Sequence, residues 1–600
     1  MNETYNKLHK TYEEYFWISS MGNTTVDAKK DSARIALESF KNDSVLFESI
    51  HFFLKQEKNL ELRTRLGYWK SFFETHIVPE TASSIRKKIN TLETKIQKKR
   101  GKRKEGYTDP KTKKFVKASI NSMRSMSTTN SEEAIRKACF DAIQHLAKTN
   151  VTDYVSLVRL RNEYAKIIGY EDFYAYKLAI EEGMTKKELF ELWDSIYEKT
   201  KYAFQDIRSY EKEHKKNKPN LRKPWNFGYL MTGDFTKEED PYFPFEEAID
   251  RWARSFAALG IDYQGGILTF DLLDRKGKYN NGFCHWPQNV YYKGGNRIAG
   301  VSDLTCNVVL GVPGQAESGY ATLFHEGGHA AHLLNADMKD ICMTTEYPPL
   351  STAWAETQSM FLDTVFSSIE WISRYAKNNT GEIYPFDLYE RQARELHLLS
   401  PLSLMSIIMV CAFEKEVYET KNLTPEKVEH IAKRHFKRHT DRSADSLSLL
   451  EVPHIYSWES ACSYQGYGLA VLALTQWRDY FYNKYGYIVD NPNIGKEMKA
   501  VWKYGSSKTF PEFVKLATGK KLSAKAFLEN TTMSIEKKIT RAKERITTLK
   551  TKPSFTREPN LNVFIKITNG KEKIADSKKG ITEMTKKYTK WLKTQYPSKI

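Results

Sequence analysis

The sequence predicts a mainly α-helical protein of two lobes, with a short run of β-strands in its second half. Apolar residues recur at helical spacing up to about residue 215 and again from about 320 to 540. The 600 residues include 19 prolines and 30 glycines, a composition that favours helices over a β-sandwich or barrel. This length exceeds that of one ordinary domain, so we expect at least two lobes.

The first 215 residues are predicted to form a helical N-terminal lobe. Stretches such as VSLVRLRNEYAKIIGYEDFYAYKLAIEEG repeat apolar residues every three or four positions. Helix starts are indicated by TNSEEAIRKACFDAI and TKKELFELWDSIYEKT, in which an acid follows Ser or Thr. Pro, Gly and Asn become frequent between 214 and 245, which predicts a boundary between lobes.

Residues 216–545 are assigned to the second lobe and residues 546–600 to a C-terminal extension of unknown role. Within the second lobe, glycine and β-branched residues become frequent between about 262 and 312. The short stretches GGILTFDLL, NVYYK and CNVVLGV in this segment are predicted strands. The C-terminal extension is basic. Its apolar residues show no regular spacing from which helices or strands could be predicted.

The net charge of +19 is concentrated in residues 86–117 and in the chain beyond residue 535. Such runs are able to bind nucleic acid. They lack interleaved aromatic residues, however, and no recognition motif accompanies them. We therefore interpret them as solvated helix faces and keep nucleic-acid binding as the less favoured alternative.

The cysteines and the apolar stretches indicate a cytoplasmic protein without membrane association. Six scattered cysteines form no CxxC pair, which argues against a disulfide framework or a cysteine-bound zinc and favours a reducing compartment. The N-terminus lacks the apolar run of a secretory signal. The longest apolar stretch, residues 398–413, contains a proline and three serines and is predicted to be a buried core helix.

A candidate metal site lies in ESGYATLFHEGGHAAHLLN, which carries His325 and His329 four residues apart. On a helix these side chains lie about 40° apart and can share one zinc ion. Glu326 lies beside that face, where its carboxylate can act as general base on a zinc-bound water. Two histidines also meet on one helix by chance, so the assignment needs a third ligand.

Downstream, LSTAWAETQSMFLDTVF supplies two acids on one predicted helix face. Glu356 can complete the zinc site, and Asp363 follows seven residues later on the same side. From there Asp363 can accept the free ring N–H of His325 or His329. The alternative is that Glu356 is an ordinary acid on an exposed helix face.

Two adjacent glycines, Gly327 and Gly328, interrupt the helix between the two histidines. Each costs about 1 kcal/mol relative to alanine in a helix interior. Gly328 is predicted to lie about 60° from His325, and Gly327 at the rear of the helix. We expect the missing side chains to let neighbouring elements approach closely, including the helix that carries the third ligand.

FHEGGHAAH followed by AWAETQSMFLD resembles the thimet oligopeptidase and oligoendopeptidase F family of zinc metallopeptidases. The resemblance implies one zinc ion per chain, held by His325, His329 and Glu356, with Glu326 as the base. It also matches His332 to the trailing histidine of the family motif. His332 and Asp363 are expected to support the zinc ligands without binding the ion themselves.

This chain departs from the family pattern at four positions. Gly327 replaces a bulky residue, Gln358 stands where proline is usual, and Met360 stands where glutamine is usual. Asp363 occupies a place often held by glutamate. These departures indicate a divergent branch. Residues 161–179 and 277–288 also resemble family segments.

Further candidate residues lie in EVPHIYSWESACSYQGYGLAVL, which contains His454, Tyr456, Tyr464 and Tyr467. From the residues alone, aromatic side chains near a helix start are more often part of the core. The family resemblance implies instead that donors from this segment stabilise the oxyanion of a peptide under attack. We favour His454 and Tyr467 for this role, followed by Tyr464, and expect glycines to let the loop adapt.

A second histidine pair, His435 and His439 in HFKRH, has the same spacing. Four cations surround it, and HFKRH itself contains no acid, so we do not expect it to bind metal.

The family resemblance implies a zincin-like fold, with a small β-sheet beside the zinc helix and a deep channel between the lobes. Residues 216–545 then form the catalytic region, and an edge strand near 300–310 pairs with the substrate backbone. The predicted function is that of a monomeric zinc metalloendopeptidase, which hydrolyses internal bonds of short unstructured peptides through zinc-bound water. Alternatives are an exopeptidase of the dipeptidase type on the same scaffold, a zinc-free binding protein, and a basic nucleic-acid-binding protein.

Overall fold

The computed structural model of the protein describes residues 1–345 and 350–597, apart from the side chains of residues 233 and 234. It is mainly helical with a small mixed sheet, as the sequence predicts. The helices of the first part are α1 (Asn2–Ser20), α2 (Asp27–Lys41), α3 (Ser44–Gln56), α4 (Leu60–Glu74), α5 (Glu80–Gly101), α6 (Ile120–Thr129), α7 (Glu133–Lys148), α8 (Val151–Ile167), α9 (Phe173–Glu182), α10 (Lys186–Thr200) and α11 (Ala203–Glu213). A hairpin of β1 (Gly106–Thr108) and β2 (Phe115–Lys117) separates α5 from α6.

The second part begins with two helices, five strands and the helix that carries the candidate zinc ligands. These elements are α12 (Pro224–Glu239), α13 (Ala248–Ala258), β3 (Gly266–Leu273), β4 (Phe283–Gln288), β5 (Tyr291–Lys293), β6 (Asn296–Ile298), β7 (Val301–Val308) and α14 (Gln315–Leu334). The chain continues with α15 (Thr352–Phe366), α16 (Ile369–Tyr375), α17 (Phe386–Leu396), α18 (Met405–Glu419), α19 (Pro425–Thr440), α20 (Gln465–Tyr485), α21 (Pro492–Trp502), α22 (Phe510–Thr518), α23 (Lys525–Thr531), α24 (Ile535–Lys550), β8 (Val563–Asn569), β9 (Glu572–Asp576) and α25 (Ile581–Gln595).

The main sheet has the strand order β4-β7-β3-β8-β9. Its centre is parallel, because β3 pairs in that sense with both β7 and β8, whereas β4 and β9 run antiparallel at the edges. The expectation of an edge strand near 300–310 is therefore wrong. Strand β7 lies between β4 and β3, and the edge strand on this side is β4.

The basic C-terminal segment contributes two strands of this sheet. β8 pairs with β3 in continuous register from Gly266–Val563 to Asp271–Thr568. Ile565 and Ile567 of β8 are fully buried. β8 is short, and the strand with which it pairs lies about 300 residues earlier in the chain. Its alternating apolar residues were therefore too weak a pattern for the sequence to predict this strand. The boundaries proposed at residues 215 and 545 stay a prediction.

Helix α14 lies at the centre of the second part of the chain. It packs on β7 and β4, on α13 and along α15, and α20 covers the far side of α15. Almost every residue of its C-terminal two thirds is buried, including Tyr320, Phe324 and Leu333. A helix that is apolar on most sides is stable only inside a core, so α14 is held rigidly from several directions.

The segment Phe386–Glu419 is long and apolar enough to cross a membrane by length and composition alone. A 3₁₀ turn containing Pro401 interrupts it. Its second half, α18, packs against α19 and α20 and buries Ile408, Cys411 and Phe413. These contacts are typical of a core helix, which agrees with the interpretation of the stretch at 398–413.

Helix α1 packs against edge strand β4. The His9 ring bonds the Trp286 backbone oxygen through Nε2 at 2.7 Å. The His285 ring lies between two carboxylates, 2.8 Å from Glu13 and 3.3 Å from Asp303. The N-terminal helix is thereby fastened to the sheet that supports α14.

Candidate active site

Two packed helices bring three donor atoms together. His325 and His329 lie on α14, and Glu356 lies in the second turn of α15, whose start is capped by the Ser351 hydroxyl accepting from Trp354 N. The two histidine Nε2 atoms are 3.3 Å apart. Glu356 Oε2 is 3.4 Å from His325 Nε2 and 3.6 Å from His329 Nε2.

These separations fit a zinc ion. With ligand bonds of about 2.0–2.1 Å in tetrahedral geometry, neighbouring donor atoms lie roughly 3.3–3.4 Å apart. In the described residues this is the one group of three or more histidine, cysteine or acidic side chains whose donor atoms converge in this way. Two imidazoles and one carboxylate also leave a fourth position open, as catalytic zinc sites require.

The glycine pair explains how α15 comes close enough. A Cβ atom on Gly328 would lie 2.9 Å from Ser359 Cα and 3.0 Å from Leu362 Cδ1 of α15. A Cβ atom on Gly327 would lie 2.5 Å from Trp252 Nε1 on the opposite side. The expectation that these glycines admit neighbouring elements, including the helix with the third ligand, is confirmed.

The acidic residues around the histidines set the charge of the site. His325 Nδ1 is 3.0 Å from Asp363 Oδ2, which fixes the ring so that Nε2 faces Glu356. Burial alone would lower the pKa of His325, but Asp363 and Glu356 outweigh it and raise that pKa well above its ordinary value. Burial alone would raise the pKa of Glu356, but the two histidines hold it well below its ordinary value.

One residue in the surroundings of Glu356 escaped the sequence analysis. The Ser359 hydroxyl lies 3.3 Å from Glu356 Oε2 and donates to the Glu356 backbone oxygen at 3.1 Å. The spacing of three residues on a helix was a usable signal, because positions i and i+3 are neighbours on one face.

Glu326 lies between the zinc helix and the start of the edge strand. Its side chain is buried, with 6% of the residue exposed. A Cβ atom on Gly282, the residue before β4, would lie 3.5 Å from Glu326 Oε1 and 2.5 Å from Thr322 Cγ2. The backbone that leads into β4 therefore passes directly over the predicted base.

His454, Tyr464 and Tyr467 form one cluster. His454 Nε2 and the Tyr467 hydroxyl are 3.1 Å apart, and the ring centroids of Tyr464 lie 5.2 Å from His454 and 5.1 Å from Tyr467. Burial lowers the pKa of His454, opposed by the charge of Glu356, which is thus close enough to act on it. Tyr456 lies apart from this cluster, since its hydroxyl donates to the Leu450 backbone oxygen.

The glycines of this segment do not form an adaptable loop. Gly466 and Gly468 lie in the first turn of α20. A Cβ atom on Gly466 would lie 2.7 Å from Thr352 Cγ2, and one on Gly468 would lie 2.7 Å from Trp193 Cη2. Both glycines serve close packing against α15 and α10, so the expectation of a flexible loop is wrong.

His332 lies two turns beyond His325 on α14 and is near Trp502, with ring centroids 6.2 Å apart. Burial lowers the pKa of His332 to about 3, so its ring is neutral. His332 Nε2 makes no hydrogen bond with any residue in the described ranges. That His332 supports the zinc ligands stays a prediction.

The rival histidine pair has an acidic neighbour that the sequence did not reveal. His435 Nε2 lies 2.8 Å from Glu416 Oε2 of α18. The rings of His435 and His439 stack with centroids 5.6 Å apart, and His439 Nδ1 donates to the His435 backbone oxygen. No third donor converges on this pair within the described part of the chain.

Comparisons with known proteins agree with this site. The family model described as Peptidase family M3 matches residues 126–533. No curated protein matches the chain significantly in sequence.

Several solved structures share the fold. A structure described as an oligoendopeptidase F has 15% identity and a TM-score of 0.60, over 90% of this chain and 95% of its own. An M32 carboxypeptidase from Deinococcus radiodurans R1 has 13% identity and a TM-score of 0.58, over 90% and 98%. PZ peptidase A has 14% identity and a TM-score of 0.57, over 92% and 98%.

The family match includes α14, α15 and the His454 segment, and therefore every residue from which the site is built. It agrees with the resemblance found in the sequence and with the convergence of His325, His329 and Glu356. The chain belongs to peptidase family M3, a family of metallopeptidases.

Proposed function

We propose that the protein is a zinc-dependent oligopeptidase that hydrolyses internal bonds of short, unstructured peptides. Family membership supports a metallopeptidase with zinc and peptide substrates. The observation that carries the proposal is the convergence of His325, His329 and Glu356 at separations of 3.3–3.6 Å, with Glu326 on the same helix. We also propose that it acts in the cytoplasm as a monomer.

The proposed chemistry divides among four groups. Zinc supplies a Lewis acid, which acidifies water and polarises the peptide carbonyl. Glu326 removes the proton of the attacking water and passes it to the departing amine. Tyr467 and His454 donate hydrogen bonds to the carbonyl oxygen as it becomes negative, and Tyr464 packs against both. No covalent bond forms between enzyme and substrate.

Across the 3.1 Å contact between His454 Nε2 and the Tyr467 hydroxyl, one group donates to the other, because a phenol and a neutral imidazole each carry one hydrogen to donate. This contact therefore breaks when both groups donate to the carbonyl oxygen. The neutral form of His454, which burial favours, can donate only one ring N–H, so its tautomer decides which atom faces the substrate.

Exopeptidase activity is the second candidate. It is favoured by the likeness to solved carboxypeptidases, among them the M32 carboxypeptidase from Deinococcus radiodurans R1. The two modes differ in where the cut falls relative to the peptide ends, and product mapping separates them.

Nucleic-acid binding gains no support from the first basic run. Arg103 and Arg100 bind Glu451 at 2.8 and 3.4 Å, and Lys95 and Lys99 bind Asp153 at 2.8 and 3.1 Å. Cations that are already paired within the protein have less to gain from phosphate contacts.

The deciding experiment compares wild type with Glu326→Gln on quenched-fluorescent peptides of graded length, beside an unfolded protein, with bound zinc measured in both. We expect wild type to cut short peptides internally, and the variant to keep zinc but lose roughly 10²–10⁴-fold in rate. Glu191→Gln, on an exposed face of α10, is the matched control. A zinc-loaded wild type that cuts no peptide would refute the proposed activity.

A further inference from the structure

A polar cavity of about 390 Å³ lies beside the zinc helix. Helix α6 forms one side of it, and the loop before β4, the end of β7 and the first turns of α14 form the others. Gly282 and Thr322, which line it, are the residues that flank Glu326. The cavity therefore adjoins the predicted base but lies outside the zinc ligands and the His454 cluster.

Arg124 of α6 is the one charged side chain among the described residues that line this cavity. Its side chain is exposed to the solvent of the cavity. The protein atoms around the cavity partly desolvate the guanidinium and so lower its pKa. Within the described ranges no hydrogen bond or ion pair is formed by Arg124. The nearby Arg100 and Arg103 are instead both paired with Glu451. A guanidinium cannot lose its charge at ordinary pH, so Arg124 presents an uncompensated cation to the cavity.

Asn307, at the end of β7, is a second unsatisfied group in the same cavity. Its Oδ1 and Nδ2 are both buried, and neither forms a hydrogen bond within the part of the chain that is described. A buried amide without partners costs about 1–3 kcal/mol, so such a group is expected to meet a ligand or water. Across the cavity, Asn121 donates to the Asn280 backbone oxygen at 3.0 Å and fastens α6 in place.

The sheet geometry indicates which end of a peptide reaches this cavity. The Trp286 backbone oxygen of β4 is already bonded by His9, so a peptide adds to this edge strand at its Phe283 end. In the antiparallel sense the peptide runs from the Gln288 end towards Phe283. Beyond Phe283 lies Gly282, at the wall of the cavity. The C-terminal end of the peptide is therefore directed towards the cavity. Its free carboxylate is negatively charged and can form an ion pair with Arg124.

We propose that Arg124 binds the free C-terminal carboxylate of peptide substrates in this cavity, and so fixes the cleaved bond a short way from that end. The inference rests on the proposed peptidase function and adds its substrate class. An arginine suits the role because its guanidinium binds a carboxylate through two parallel hydrogen bonds. The Asn307 amide supplies a further donor.

The test uses one fluorescent peptide sequence made as the free acid and as the C-terminal amide. Zinc-loaded wild type is expected to favour the acid by roughly 10–100-fold in kcat/KM. Arg124→Met is expected to bring the acid down to the level of the amide and to leave the amide unchanged. Arg124→Lys should fall between them, because lysine keeps the charge but not the paired donors. Lys587→Met, an exposed change on α25, is the control for lost charge.

Binding separates this inference from the proposed function. Both peptides are titrated against zinc-loaded Glu326→Gln, with and without Arg124→Met, by fluorescence anisotropy. Tighter, Arg124-dependent binding of the acid with no cleavage by wild type would refute the peptidase activity alone. Equal cleavage and binding of acid and amide would overturn the inference. So would an amide that ends in Asp and binds as well as the acid, since the ligand would then be a side-chain carboxylate.

Discussion

The chain contains two histidine pairs with the same spacing on buried helices, His325 with His329 and His435 with His439. In the first pair the two Nε2 atoms face each other at 3.3 Å, and a carboxylate oxygen completes the group. In the second pair the rings stack, and one of them turns to Glu416.

Spacing along a helix therefore creates only the opportunity for a metal site. What distinguishes the first pair is a second helix that approaches within van der Waals contact of Gly328 and carries Glu356 and Asp363. At the corresponding position of the second pair stands Arg438, whose side chain is exposed over the Tyr197 ring. A large cation there leaves no room for a ligand-bearing helix.

The largest expected effect comes from removing Glu356, whose carboxylate oxygen lies 3.4 Å from His325 Nε2 and 3.6 Å from His329 Nε2. Glu356→Ala should reduce bound zinc to background after dialysis and abolish peptide hydrolysis, because two neutral imidazoles then hold the ion alone. The matched change at the second pair, Glu416→Ala, should leave zinc content and activity unchanged. Metal analysis of both variants by mass spectrometry decides this, and zinc retained at one ion per chain in Glu356→Ala would contradict the assignment.

The next effect tests the close approach itself. Gly328→Leu should displace α15 and lose zinc, since even its Cβ would lie 2.9 Å from Ser359 Cα. Overpacking of this kind also destabilises a core by about 1–3 kcal/mol. Arg438→Leu is the counterpart at the second pair and should cost little. Thermal unfolding and zinc content are measured on both variants. A Gly328→Leu protein that keeps one zinc ion per chain would show that the metal site does not require the close approach of α15 at this glycine.

A smaller effect is expected from Asp363→Asn. The amide keeps the shape of the side chain but no longer holds the His325 ring with a full negative charge, so zinc affinity should fall roughly 10–100-fold. Competition with a chelator measures this dissociation constant. At the second pair Glu416→Gln provides the control. An Asp363→Asn protein with unchanged zinc affinity would rule out a role for this carboxylate in holding the ligand.

The smallest expected effect concerns the second pair and is a loss of folding stability at low pH, caused by the protonation of His439. Burial lowers the pKa of His439 from its ordinary 6.5 to about 4. The unfolded chain therefore takes up the proton first as the pH falls, and stability present above pH 6.5 is lost towards pH 4, by up to about 3 kcal/mol.

His439→Gln removes this titration. The difference in Tm between wild type and the variant should shrink by on the order of 2 °C between pH 7 and pH 4.5. A difference that is constant over this range would mean that His439 titrates normally in the folded protein.

The sequence was sufficient to predict that His325, His329 and Glu356 converge, because the parts of this group are local or family-specific patterns. His325 and His329 are one helical turn apart, and Asp363 follows Glu356 on one face, so each relation is visible within a few residues. The glycine pair also carried a local signal, since it breaks a helix rule where α15 has to approach.

The sequence did not reveal relations that depend on distant segments. The position of β7 inside the sheet, the pairing of β8 with β3 and the contact between His435 and Glu416 all join segments without a shared period. Arg124 gave no signal for the same reason, because only the packing of α6 against the loop before β4 brings it to the cavity.

The pairing of β8 with β3 has a consequence for how the molecule is made. When a ribosome has released residues up to 545, every proposed zinc ligand and catalytic residue has already emerged. Strand β3 still has an open edge at that moment, because its neighbour at 563–569 has not yet been delivered. An unpaired strand edge can pair with a strand of another chain and so lead to aggregation. The pairing of β3 with β8 joins residues about 300 positions apart, and contacts between such distant residues form slowly. Strand β8 is thus synthesised after every proposed ligand, so the sheet that supports α14 gains this strand only once residues 563–569 have emerged.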